Sequence, residues 1–399
     1  MSEDPKPDHR AVDHRSVVRR QVLPGSVSAP VVNPICPSVV FSSPDADVLD
    51  AQYEGRQSGF TYAREGHPNW TALAAKLDWL EGIEGGLITG SGMAAVGAMF
   101  QAVVKAGDHV VAGDQLYGRS LRMLNEELPR WGVGVTLADP TDGAAFAAAI
   151  RPETRLVLVE VVSNPTLRVA DLQVIAAACR DKGVLLAVDN TFTTPRLYRP
   201  FEHGADIVIH SVTKMLAGHS DVTLGYVAAK DLDLRQRLCD VVITWGMTPS
   251  PFDCWLAERG LHTFDLRFDK AQENAADLAD HLAGLAKVDA VLYPARPDHP
   301  DHNRAVGFLA GGGTMVSFRL SGGREEVNRF LRAAEHLPFA PTLGDVATTL
   351  SHPASSSHRI LTEQERATLG ITEGFVRVSV GIEEINLLKR EFEEAIAAA

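Results

Sequence analysis

VLLAVDNTFTTPRLYRPFEHGADIVIHSVTKMLAGHSDVTLG, residues 184–225, is the stretch that decides the fold. VLLAVDN (184–190) and DIVIHS (206–211) are apolar along their length and end in polar residues. Upstream, LVLVEVV (156–162) reads the same way and runs into Ser163-Asn164-Pro165, with a helix expected over Leu172–Lys182. Strands with no polar face, alternating with helices, belong to a parallel sheet covered on both sides. Asn164, Asp189 and Ser211 then fall at the C-terminal strand ends, the edge where open α/β sheets bind ligands.

The pattern extends outward. HVVAG (109–113) and GVTLAD (134–139) read as further strands. Leu73, Leu77 and Leu80 give helical spacing within Trp70–Glu81. A helix is expected after Ser91-Gly92, closed by Gly107, and another over Ser120–Trp131. Past residue 255 the texture changes: a long helical run over Phe252–Ala286, strands in TMVSFRL (314–320) and FVRVSV (375–380), a helix near Glu325–Ala334 and a terminal helix. The expected organisation is an arm over 1–60, rich in Pro, Ser and charge, a cofactor-binding domain over 61–255, and a smaller α+β domain over 256–399.

Composition excludes several classes. The 399 residues carry 38 Lys plus Arg against 51 Asp plus Glu, a formal charge of −13. That surplus argues against a nucleic-acid partner and against polybasic docking on a membrane. The four cysteines show no CxxC spacing, so neither a thiolate zinc site nor a disulfide framework is expected. The histidines show no HExxH spacing, and no metal is expected. With neither a signal-peptide pattern nor a spanning apolar run, the expectation is a cytoplasmic enzyme.

Lys214 carries the sharpest chemistry. It follows a buried strand and precedes the turn AGHSD (217–221). By position alone it is either a surface residue or a reactive amine. Asp189, at the neighbouring strand end, is either a cap or salt-bridge partner, or the partner of a protonated pyridine nitrogen. Ser91-Gly92-Met93 opens an apolar helix, whose free N–H groups and dipole suit a phosphate. Tyr117, in a strand-end loop, serves either packing or a flat cofactor ring. There is neither a GxxxxGK nor a GxGxxG after a first strand. Together these residues supply what pyridoxal phosphate requires: an amine, a carboxylate, a phosphate cradle and an aromatic platform.

With these residues in place, the sequence resembles the Cys/Met-metabolism group of pyridoxal-phosphate enzymes, which includes cystathionine γ-synthases, cystathionine lyases, methionine γ-lyases and O-acylhomoserine sulfhydrylases. The likeness runs through FTYAREGHPNW (60–70), SGMAA (91–95), DQLYG (114–118), SNP (163–165), VDNTFTTP (188–195), HSVTKMLAGHSDVTLG (210–225), HPASSSH (352–358) and VRVSVGIEE (376–384). It implies an aspartate-aminotransferase-like α/β fold, fold type I. Lys214 would bind the cofactor covalently and Asp189 would pair with its ring nitrogen. Gly92, Met93, Ser211 and Thr213 would hold the phosphate, with Tyr62 and Arg64 reaching it from a neighbouring subunit. Arg377 and Asn164 would take the substrate α-carboxylate. Tyr117 would lie over the ring and act as acid or base. The resemblance also implies a homo-oligomer with shared active sites, a dimer at minimum and by family habit a tetramer.

The chain departs from the family pattern at Thr61, at Ala347-Thr348 and at Arg119. Thr61 stands beside the tyrosine, and Ala347-Thr348 replaces the usual Glu-Ser pair, so both distal carboxylates are missing and Thr348 is left as the substrate-side residue. A distal ammonium would lack a partner. Arg119 follows the Tyr-Gly pair; it either faces solvent or a carboxylate, or recognises an acidic distal group such as a succinyl ester. The leading expectation is a lyase acting on sulfur amino acids by β- or γ-elimination. The alternative is a γ-replacement enzyme using an activated homoserine ester; an aminotransferase or a non-catalytic relative stands further off.

Overall fold

A computed structural model describes residues 27–359 and 361–399. The chain divides between Pro34 and Ile35. Residues 27–34 are exposed, without helix or strand; the start of the expected arm, residues 1–26, lies outside the described residues. From Ile35 onward the arm region carries a helix, Ala46–Tyr53, capped by the Asp45 side chain, which accepts from Val48 N at 2.8 Å.

Seven strands make the larger sheet: β1 (Leu87–Thr89), β2 (His109–Gly113), β3 (Gly134–Ala138), β4 (Thr154–Glu160), β5 (Leu185–Asp189), β6 (Ile207–Ser211) and β7 (Gly225–Ala229), in the order β1-β7-β6-β5-β4-β2-β3. The four pairings from β6 to β3 are parallel, as the unbroken apolar runs predict. β7 runs antiparallel to both its neighbours, so the sheet is mostly parallel rather than wholly so. Neither β1 nor β7 stands out in the sequence: one is three residues long, and the other follows directly on the Lys214 turn.

The two-residue period sorts the side chains. Val157 and Val159 of β4 pack into one layer with Leu73 and Leu77 of the helix Pro68–Glu81. Leu156 and Leu158 pack into the other with Ala95 and Met99 of the helix Gly92–Val103. Each such burial contributes about 1.5–3 kcal/mol. A one-residue slip would exchange the layers, so the register is strongly set. It follows that Glu160, Asp189 and Ser211, the last residues of β4, β5 and β6, emerge on the side of the helix Gly92–Val103. Asn190 and His210 take the opposite side, where both meet the buried Glu81, with Asn190 Nδ2 donating to Glu81 Oε1 at 3.0 Å.

The smaller sheet is antiparallel: β8 (Val288–Leu292), β9 (Met315–Leu320), β10 (Thr349–Ser351) and β11 (Phe375–Ser379), ordered β10-β11-β9-β8. Val376 and Val378 of β11 bury one face against Leu282 and Phe392 of the helices Phe264–Ala283 and Ile385–Ala397. Arg377 therefore points the other way. The single long helix expected over 252–286 is two, Pro251–Leu261 and Phe264–Ala283, broken at His262-Thr263. The expected helix over 120–131 includes a π-helical turn, Met123–Glu127. Among the described residues no helix is long and apolar enough to cross a membrane.

Candidate active site

The C-terminal ends of β4, β5 and β6 open on a cavity of about 650 Å³. Lys214 lines it, on the turn after β6. That turn is fixed from below by the buried Arg267, whose guanidinium donates to Met215 O at 2.8 Å, Leu216 O at 3.1 Å and Gly260 O at 2.9 Å. Lys214 Nζ donates to Thr342 Oγ1 at 3.3 Å. Burial lowers its pKa to about 8, and the Arg377 guanidinium adds to the effect.

Asp189 is buried, with its Oδ1 accepting from Thr191 N at 3.0 Å. Burial raises its pKa, as expected of a carboxylate with no cation against it. Glu160 sits in register beside it on β4. Its pKa is pushed well up by burial and by the Asp189 charge. Glu160 Oε1 accepts from Tyr117 N at 2.7 Å, tying the Tyr117 loop to the sheet edge. Sequence reading misses Glu160 because it hides inside LVLVEVV; the one carboxylate in an otherwise apolar strand is the signal that could have marked it. The strand ends there, not at Val162.

The helix Gly92–Val103 begins over the end of β6. Ser91 caps it, its Oγ accepting from Ala94 N at 3.0 Å. A Cβ on Gly92 would lie 2.8 Å from Ser211 Cβ, so glycine is what permits this approach. Gly92, Met93, Ser211 and Thr213 all line the cavity. The Thr213 hydroxyl is engaged with the Leu224 backbone, donating to O at 3.1 Å and accepting from N at 3.0 Å. Tyr117 lines the cavity and is partly exposed.

Arg377 reaches across from β11. Its Nη1 donates to Asn164 Oδ1 at 2.7 Å and its Nη2 to Thr342 O at 3.0 Å, while Nε is buried with no partner. Burial lowers its pKa to about 10. Thr342, missed by sequence reading, thus touches both Lys214 and Arg377. Arg119 lines the cavity, and so does Arg359, which sequence reading also misses.

Three expected positions lie elsewhere. Thr348 does not line the cavity: its hydroxyl donates to Glu383 Oε2 at 2.9 Å and accepts from Gly381 N at 2.9 Å, so its side chain is engaged away from the expected substrate side. Tyr62 and Arg64 do not meet the cavity of their own chain. They line a separate hollow of about 480 Å³ with Ile35, Val39, Trp70 and Phe252, Arg64 lying 5.3 Å from the Tyr62 ring centroid.

The residues present fit the expected cofactor on the protein's own terms. There is an amine made less basic by burial, a buried carboxylate lacking a cation, and a glycine-shaped helix start beside the same cavity.

Comparison with known proteins agrees. The model of the family described as Cys/Met metabolism PLP-dependent enzyme matches residues 16–397. The L-methionine gamma-lyase of Porphyromonas gingivalis is 38% identical, over 89% of this chain and 90% of that one. The cystathionine beta-lyase of Bacillus subtilis is 39% identical, over 84% and 86%. The crystal structure of cystathionine gamma synthase from Xanthomonas oryzae pv. oryzae in complex with cystathionine superposes with a TM-score of 0.87 at 38% identity, covering 92% of this chain and 93% of that one. The fold is the mostly parallel, helix-covered α/β fold of type I expected from the sequence, with a smaller antiparallel-sheet domain. With a family model across the chain and a matching fold, the protein belongs to the Cys/Met metabolism PLP-dependent enzymes and is a pyridoxal-phosphate-dependent enzyme of sulfur amino-acid metabolism.

Proposed function

We propose that this enzyme is a carbon–sulfur lyase that releases a thiol from a sulfur amino acid by β- or γ-elimination, leaving a 2-keto acid and ammonia. The observation that carries the reading is the sharing of Thr342: its hydroxyl receives Lys214 Nζ at 3.3 Å and its carbonyl receives Arg377 Nη2 at 3.0 Å. A base and a carboxylate-binding cation one residue apart suit an α-amino acid held with its Cα proton at the amine. When bound, pyridoxal phosphate supplies the electron sink that makes that proton removable.

Arg377 and Asn164 orient the substrate through its α-carboxylate, the free Arg377 Nε adding a donor. Lys214 Nζ takes the Cα proton, and for a γ leaving group a Cβ proton in turn; burial makes its amine less basic than an exposed lysine's. The Tyr117 hydroxyl exchanges a proton with the departing sulfur. Asp189 would pair with the cofactor's ring nitrogen, and the start of the helix Gly92–Val103 with Ser211 and Thr213 would take the phosphate. Tyr62 and Arg64 complete the phosphate site from a neighbouring copy, which requires at least a dimer. In support, Tyr62 is exposed, Arg64 is half-exposed, and neither lines the cavity of its own chain.

A γ-replacement reading is kept because Arg119 lines the cavity. The two separate on one assay. Holoenzyme is incubated with methionine, cystathionine, cysteine and O-acylhomoserines, with and without added thiol, and 2-keto acid is measured. Keto acid from a thioether without thiol is the expected result. Product only from an ester plus thiol overturns elimination in favour of replacement. Lys214→Ala is expected to lose at least ~1,000-fold in either case.

A further inference from the structure

On the side of the larger sheet away from the helix Gly92–Val103, three apolar rows each end in a polar residue. In the helix Pro68–Glu81 the row Leu73, Leu77 is continued one turn on by Glu81. The row Leu186, Val188 of β5 is continued by Asn190, and Val208 of β6 is followed on the same face by His210. Glu81 and His210 are each 1% exposed, and Asn190 is fully buried. The three side chains meet. Glu81 Oε1 accepts from Asn190 Nδ2 at 3.0 Å and pairs with His210 Nε2. The Asn190 amide is oriented from outside this pair: Nδ2 also donates to Tyr198 O at 2.9 Å, and Oδ1 accepts from the Thr193 hydroxyl. Glu81 Oε2 and His210 Nδ1 are buried with no hydrogen-bond partner among the described residues.

Glu81 has no task in its own helix. A carboxylate in the last turn faces the negative end of the helix dipole. The helix is closed instead by Gly82, left-handed at φ 72, whose N–H reaches Asp78 O. A buried carboxylate is costly unless a cation meets it, and a buried imidazolium needs an anion in turn. Besides Glu81, the titratable groups beside His210 are Tyr226 on β7 and Asp189 on β5. Tyr226 is its register partner, with ring centroids 6.0 Å apart, and the Tyr226 hydroxyl is taken up by Asp78 Oδ1 at 2.7 Å. Asp189 is paired with Ile209 across β5 and β6, and Asn190 N donates to Ile209 O at 2.9 Å. His210 therefore lies diagonally across from Asp189, with its side chain on the opposite face of the sheet. Burial raises the Asp189 pKa, while hydrogen bonds from Thr191 and the His210 charge act against that rise.

We propose that Glu81 and His210 form a positioning pair for Asp189, working through the sheet from the face the cofactor does not use. Through Asn190, Glu81 fixes the end of β5 that presents Asp189 to the cavity. Through Nε2 it holds His210 as an imidazolium behind that end. The positive charge favours the Asp189 carboxylate while neither residue touches the cofactor. This rests on reading Asp189 as the partner of the ring nitrogen. With a neutral side chain at 210 the carboxylate is less favoured, and so is a protonated ring nitrogen against it.

Magnetic resonance on two forms of the protein tests the pair apart from turnover. In cofactor-free protein with isotope-labelled aspartate carboxyls, the Asp189 signal is identified by its loss in Asp189→Asn and followed with pH. His210→Gln keeps an N–H for Glu81 and removes the cation. The His210→Gln/Glu81→Gln double variant removes both charges, keeps the hydrogen bond, and serves where the single variant fails to fold. Each is expected to raise the Asp189 midpoint by at least about one pH unit. In holoenzyme reconstituted with ring-nitrogen-labelled pyridoxal phosphate, the same variants are expected to lower the midpoint at which the ring nitrogen loses its proton. An Asp189 midpoint that stays in place in a folded variant, whatever its Tm, makes the pair a structural one only and overturns the proposal. If the Asp189 midpoint moves while the ring-nitrogen signal is the same in wild type and Asp189→Asn, the pairing of Asp189 with the ring fails and the role of Glu81 and His210 toward Asp189 stands.

Discussion

Half-buried Lys214 and buried Arg377 are two cations facing one cavity, and neither is comfortable there. Burial, with Arg377 adding to it, brings the Lys214 amine to about 8. Because the folded chain holds this proton less tightly than the unfolded chain does, the charged amine destabilises the cofactor-free fold below about pH 8. That penalty is relieved as pH rises from about 8 toward the ordinary lysine range. Acylation of cofactor-free protein by acetic anhydride, read at the Lys214 peptide by mass spectrometry, is expected to reach half its maximal rate near pH 8, while exposed lysines follow at higher pH. Arg377→Gln is expected to move the Lys214 midpoint upward, and a midpoint matching the exposed lysines would refute the account. Asp189 and Glu160 complement the pair. Two carboxylates in register at the ends of neighbouring parallel strands cannot both ionise cheaply away from water. A cationic ring nitrogen beside Asp189 would relieve that one, while burial and the Asp189 charge push the Glu160 pKa up and its Oε1 anchors Tyr117 N.

At the scale of elements, the Lys214 turn depends on a helix that sequence reading joins to its neighbour. Arg267 can cap the carbonyls of Met215, Leu216 and Gly260 because the chain breaks at His262-Thr263 and the next helix starts at Phe264. Arg267→Met leaves three carbonyls without their donor in a buried site. The expected destabilisation is about 2–4 kcal/mol, read as a lower Tm of the holoenzyme together with weaker cofactor retention on gel filtration. An unchanged Tm would show that the turn holds itself. No Gly or Pro marks the break in DCWLAERGLHTFDLRF beyond Gly260, which is why periodicity runs through it. β4, β5 and β6 are legible because both their faces are buried, and Lys214, Asp189 and Asn164 are legible because polar residues closing such strands stand out. Arg359, Thr342 and Glu160 depend on what lies across from them: a backbone contact at Gly118, a bond to a lysine 128 residues away, and a strand register. None of these leaves a local trace. Thr348 is the converse case, a motif position whose hydroxyl is absorbed by Glu383 and Gly381.

At the scale of the whole molecule, the unsettled surface is the one around Tyr62 and Arg64. Val39, Val40 and Phe252 are each at least half exposed there, a concentration of apolar surface beside Tyr62 and Arg64. Tyr62 and Arg64 belong to this surface and not to the cavity with Lys214. If a two-fold pair of chains closes it, each active site takes Lys214 from one copy and Arg64 from the other. Lys214→Ala lacks the amine, Arg64→Ala lacks the partner's cation, and each alone is expected to be inactive or nearly so. Mixed by co-refolding or co-expression, they form dimers in which one of the two sites has both groups intact. Random pairing then restores roughly a quarter of wild-type activity. Recovery requires exchange, so the mixture is run with and without a denaturing step, and light scattering follows the assembly. Activity no greater than the sum of the two parents, in a mixture shown to contain the mixed dimer, would mean that each site is built from one chain. In that case Tyr62 and Arg64 bind nothing of the cofactor, and the phosphate is held by Ser211, Thr213 and the start of the helix Gly92–Val103 alone.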